Sequence, residues 1–138
     1  MSAFIVSKKH IASIVRFYQG TRYDTNFNGN DAVKMANRLI RKNVESVMFR
    51  YPGEPLRDMP GVTDELADNK IPEITLADIA WLKPLTPGEA LKAVNCLDYQ
   101  SCELPDWCET EEYKFLQKVK NIAITSIPGY EKAAWNIG

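Results

Sequence analysis

Apolar residues recur at three- and four-residue steps along most of this chain, and proline or glycine punctuates the runs. That is the period of helices that bury one face. Ile11, Ile14, Val15 and Tyr18 share such a face, with Ser7 placed as an N-cap and Gly20 as the stop. From about Asp31 a second stripe runs through Val33, Ala36, Ile40, Val44, Val47 and Tyr51, until Pro52-Gly53 ends it. The tail of this run, VESVMFRY, has the composition of a strand. Helix is favoured because Arg38, Arg41, Lys42 and Glu45 keep to the opposite face while the stripe continues.

Later elements announce themselves by their caps. Thr75 and Asp78 form a weak capping pair for a short helix, TLADIAWL, closed by Pro84. Thr86-Pro87-Gly88-Glu89 combines an N-cap threonine, proline at the first helical position and glutamate three residues after the cap, the clearest helix start in the chain. Its stripe is Ala90, Leu91, Val94, Leu97 and Ser101, and it must stop near Leu104-Pro105. Asp106 or Thr110 caps a last long helix. Tyr113, Leu116, Val119, Ala123 and Ile127 lie on one side of it, Phe115 and Ile122 widen the face, and Pro128-Gly129 breaks it.

Between these runs, residues 21–31 are rich in Asn and Gly and read as a loop, and 53–74, with three prolines, as a long irregular connection suited to contact. Ser2 to Val6 reads as a short strand or an extended lead-in. The tail carries Tyr130 and Trp135, which are costly to expose and are expected to fold back on the body. The expected architecture is mainly α: a compact single-domain bundle of four to five helices over residues 1–138, with at most one short N-terminal strand.

Composition narrows the function classes. With 45% hydrophobic and 25% charged residues the chain is of ordinary globular make-up. Seventeen basic and eighteen acidic side chains leave a formal charge of -1, so no overall field attracts a nucleic-acid backbone, and direct nucleic-acid binding is not expected. No run approaches a membrane span, and the short apolar opening is interrupted by Lys8, Lys9 and His10 too early for a secretory signal. A cytoplasmic home is the resulting expectation, with the three cysteines reduced.

Those cysteines, Cys96, Cys102 and Cys108, stand at six-residue steps. Zinc cysteines come in pairs two to four apart, and six helical steps would turn Cys96 and Cys102 about 120° from each other. The expectation is small apolar side chains at a helix–helix contact, with no metal and no cofactor. A thiolate nucleophile is disfavoured by Asp98, Glu103, Asp106 and Glu109 around the thiols, and the lone His10 is distant in sequence. Phosphate-cradling glycine motifs are absent. Catalytic residues are therefore not assigned, and an enzyme is the less favoured class.

What remains is polar and aromatic. Asn43 and Arg50, two turns apart, share nearly one face of the second helix, beside Tyr51. Asn95, Asp98, Tyr99 and Gln100 gather on the later helix, followed by Glu103 and Trp107. Arg50 paired with Asp98 or Glu103 would tie the helices together. The same groups would also suit a pocket for a planar, anionic, nucleotide-like molecule, with Tyr130 as a further wall.

The segments MSAFIVS, NVESVMFRY, CLDYQSCELPDW and IPGYEKAAW together resemble a family of small proteins from bacterial genomes, plasmids and phages that share MSAFIV, N-x-x-S-V-x-x-R-Y, YQSCE and PGYE-x-A-x-W. Asn43, Ser46, Val47, Arg50, Tyr51, Tyr99, Gln100, Ser101, Cys102, Glu103, Trp107, Pro128, Gly129, Tyr130 and Trp135 carry the likeness; Cys108 does not. The resemblance implies a phage or mobile-element origin and no particular reaction. The leading expectation is a non-enzymatic protein of the host cytoplasm that occupies a host protein or complex, conceivably one of defence. Its candidate contact residues are Asn43, Arg50, Tyr51, Tyr99, Gln100, Glu103, Trp107, Tyr130 and Trp135. An acidic patch of Asp106, Glu109, Glu111 and Glu112, extended by Glu103, would stand in for phosphates. Sequestering or binding a nucleotide-like molecule is the alternative, and oligomeric state is left open.

Overall fold

A computed structural model describes residues 6–20, 29–50, 52 and 73–128. All regular structure among them is helical: α1 (Lys8–Gly20), α2 (Gly29–Arg50), α3 (Leu76–Trp81), α4 (Pro87–Ser101), a 3-10 turn (Trp107–Glu109) and α5 (Glu111–Thr125). Val6 is buried without belonging to any element, and the rest of the proposed strand, most of both expected loops and the C-terminal tail lie outside the described residues.

The stripes become the core. Ile11, Ile14 and Val15 of α1, Ala36 and Leu39 of α2, Val94 and Leu97 of α4, and Leu116 and Val119 of α5 are wholly or almost wholly removed from solvent. α4 and α5 share the broadest interface and α1 packs chiefly on α2, with α1 and α2 both resting on α4. An edge-to-face pair, Tyr18 and Phe115, joins α1 to α5 with ring centroids 4.9 Å apart. Burial of this order, worth about 25 cal/mol for each Å² of apolar surface, is what holds helices too short to persist alone.

α2 settles the helix-or-strand ambiguity of VESVMFRY, because it continues unbroken for 22 residues to Arg50. It starts at Gly29, two residues before the expected Asp31. There the start of α2 meets α3: a Cβ at Gly29 would stand 2.8 Å from Leu76 Cδ1, the tip of a half-exposed side chain that would have to turn aside.

Both capping boxes form. Thr75 and Asp78 bond each other's backbone N–H at 3.0 and 3.3 Å, and Thr86 and Glu89 do so at 3.1 and 3.3 Å. Of the two candidates for the cap of α5, Thr110 is the one used, accepting from Tyr113 N–H at 3.1 Å. Asp106 instead takes a left-handed conformation, φ 58°, and turns the chain between α4 and the 3-10 segment. α4 stops at Ser101, just ahead of Leu104-Pro105, and Leu104 N–H and Trp107 N–H then bond back to Ser101 and Leu104 carbonyls.

The short α3 buries only Ile79 of its apolar residues and is held by side chains. Arg16 donates to the carbonyls of Ile79 and Ala80 at 2.8 and 3.0 Å, and Ser13 to that of Lys83 at 3.0 Å. Asn37 grips Ile74 from both sides, donating to its carbonyl at 3.0 Å and accepting from its N–H at 2.7 Å. No described helix is long and apolar enough to cross a membrane.

Candidate functional site

Two segments, residues 43–50 and 99–103, meet in space where the C-terminal ends of α2 and α4 lie side by side. Ser46 donates its hydroxyl hydrogen to the carbonyl of Gln100. One turn on, Arg50 Nη2 donates to the carbonyl of Tyr99 at 2.7 Å, Nη1 reaches Gln100 Oε1 at 3.5 Å, and Nε stands 3.2 Å from Glu103 Oε2 as an ion pair. Of the two acids open to Arg50, Glu103 is the partner. Asp98 goes elsewhere, accepting the indole N–H of Trp107 at 2.8 Å.

Both Nη atoms of Arg50 are hydrogen-bonded, while its buried Nε meets Glu103 as an ion pair without a hydrogen bond. Its side chain is largely buried, and its guanidinium lies over the Tyr99 ring at 5.5 Å from the centroid. Trp107 is 2% exposed and packs edge-on against Tyr113, ring centroids 6.0 Å apart. Arg50 and Trp107 therefore do not line an open cavity together: the indole belongs to the core, and the guanidinium ties two helix ends. Gln100 is buried as well, whereas Tyr99 is 72% exposed and Glu103 faces solvent. Tyr51, Tyr130 and Trp135 lie outside the described residues.

Asn43 is fully buried, and neither its amide nitrogen nor its amide oxygen has a partner among the described residues; the same holds for the Ser101 hydroxyl. A buried amide left without partners costs free energy. Sequence periodicity misses Asn43, Ser46 and Leu39 as buried positions, although all three sit on the same side as Ala36 and Val47 at helical spacing. Reading asparagine and serine as surface residues hides the signal.

Two expectations about the middle of the chain are corrected. Cys102 and Cys108 are exposed, not packed between helices; Cys102 donates to the Tyr99 carbonyl at 3.0 Å. The chain leaves the helix at Ser101, so its side chains beyond that point follow the turn rather than the α4 stripe. Cys96, still on α4, is half-buried, and burial pushes its thiol above the ordinary range. All three thiols are free, and no three His, Cys, Asp or Glu residues among those described gather as a metal site.

The acidic patch loses one member. Glu112 is buried and bonded by Arg38 Nε at 2.6 Å, tying α5 to α2, because its place on α5 turns it inward beside Phe115 and Leu116. Asp106, Glu109 and Glu111 remain exposed, with Glu103 nearby in sequence.

Two open grooves flank the first turn of α1. One, of about 350 Å³, is lined by Val6, His10, Glu89, Lys92, Ala93 and Cys96, and the other, of about 230 Å³, lies against α3. Neither is lined by Arg50, Tyr99 or Trp107. The His10 ring is hydrogen-bonded through Nδ1 to Ser7 Oγ at 2.7 Å. Comparison with protein-family models, with curated proteins and with solved structures finds no match for this chain.

Proposed function

We propose that this protein acts by contact rather than by catalysis, occupying the surface of a host protein, with the joined ends of α2 and α4 as its binding face. The observation that carries the reading is the state of Tyr99: 72% exposed, yet held under the Arg50 guanidinium. An aromatic ring already fixed in one orientation loses little freedom on binding, which is what makes tyrosine effective at the centre of interfaces. Phe49 and Met48, in the last turn of α2, also face solvent.

The resemblance to proteins of phages and mobile elements supports a host component as the partner, with a defence complex as the candidate class. Exposed Glu103, Asp106, Glu109 and Glu111 suit a partner that otherwise holds nucleic acid, because spaced carboxylates present charge where phosphates would lie.

Capture from host lysate at physiological salt tests the proposal. Tagged protein should recover one component in stoichiometric amount, and Tyr99→Ala should release it while far-UV circular dichroism stays unchanged. Recovery of nothing, or of the same component by Tyr99→Ala, would overturn it.

A further inference from the structure

We infer that the groove between the first turn of α1 and α3 is a docking site for an acidic protein segment carrying one apolar side chain. None of its lining residues belongs to α2 or α4, so the groove goes beyond the contact surface proposed above.

Lys8, Lys9, Ile74, Asp78, Trp81 and Leu82 line about 230 Å³ of open space. Trp81 is 67% exposed, the only tryptophan among the described residues to face solvent. Sites for whole small ligands run to about 300–1,000 Å³, so this one suits a single branched or aromatic side chain instead. Its walls are fixed in advance. Arg16 holds the carbonyls beside Trp81, Asn37 clamps Ile74 from both directions, and the Thr75–Asp78 box sets the start of α3. A groove that need not reorganise binds at lower entropic cost.

Charge selects the occupant. Lys8 and Lys9 on α1 border the groove, and Lys83 follows Leu82 directly, all in a chain whose net charge is -1. One carboxylate among the described lining residues, Asp78, lies with them; it is engaged by the N–H and hydroxyl of Thr75 and attracted by Lys8, so Lys9 and Lys83 carry the excess of positive charge. A peptide can place carboxylates beside the lysines and leave a gap at Asp78. A nucleic-acid strand, with a phosphate at every step, would meet Asp78 and find no arginine in the lining.

The test is a titration followed by proton–nitrogen correlation spectra, using the full chain and a capped pentapeptide of leucine flanked by two glutamates on each side. Saturable shifts are expected at the Trp81 indole N–H and the Lys9 and Leu82 amides. Lys9→Glu should weaken binding about fivefold, as for a rim charge, and Trp81→Ala should abolish it. Both positions are exposed, and the spectrum itself reports whether each variant folds. No saturable shift at millimolar peptide, equal binding of a glycine-for-leucine peptide, or tighter occupation of the same residues by oligothymidylate would overturn the inference, the last by assigning the groove to single-stranded nucleic acid. No host component is present, so a negative result here leaves the capture experiment intact, and the converse holds.

Discussion

Arg50 covers the ring of Tyr99 and, with the same guanidinium, bonds the tyrosine's own carbonyl at 2.7 Å. One side chain thus closes the end of α4 and orients its exposed aromatic. The arrangement needs a planar fork: the carbonyl, Gln100 and Glu103 are met from different nitrogens.

Lysine cannot reproduce that geometry. Arg50→Lys and Arg50→Ala should therefore destabilise by similar amounts, about 1–3 kcal/mol for a partly buried charged hydrogen-bonding group. Urea unfolding measures this. Full stability in Arg50→Lys would show that charge alone suffices. Tyr99→Ala should cost much less, since its ring is mostly in water.

Asn43 offers a prediction of the opposite sign. Its two amide atoms are buried without partners among the described residues, so a leucine, branched at the same carbon, removes a desolvation penalty without opening a cavity. Asn43→Leu should melt at the same temperature as the natural chain or higher. A marked loss of stability would mean that the amide is satisfied, for example through an internal water.

Glu112 lies 5% exposed against an Arg38 that is 47% exposed, so the pair is buried on one side only. Removing the partner strands the carboxylate. Arg38→Ala should cost about 1–3 kcal/mol, between the values for an exposed and a fully buried pair, because water still reaches the arginine side. Arg38→Ala combined with Glu112→Gln should recover part of the loss, and thermal unfolding of the three variants decides it.

The capping boxes set a pH dependence. Backbone hydrogen bonds from Thr86 and Thr75 hold the carboxyls of Glu89 and Asp78 below their ordinary ranges, with the threonine hydroxyls adding to the effect. As pH falls, the unfolded chain therefore takes up protons first. The stability these groups contribute is whole above the ordinary carboxylate range and is lost as pH descends through the lowered values. Glu89→Gln should flatten the acid limb of a plot of melting temperature against pH; an unchanged slope would show that the cap does not couple to folding.

The helices were legible before any coordinates because their information is local. Apolar spacing, Thr86-Pro87-Gly88-Glu89 and the prolines act within a turn or two of where they stand, and the caps at Thr75 and Thr86 form with the partners their spacing predicts. Arg50 as a tie between helices was also within reach, since its face and the acidic residues of α4 could both be read from periodicity.

What only the tertiary structure decided is which polar groups face inward. Glu112 and Asn43 are interior although polar, while Tyr99, Cys102 and Cys108 are exposed, so residue type does not separate them. That choice depends on how α2 and α5 approach α4, and on the left-handed turn at Asp106 that redirects the chain after Ser101. Local sequence sets the period of a helix; the side it buries beyond its apolar stripe is set by the surfaces that come to meet it.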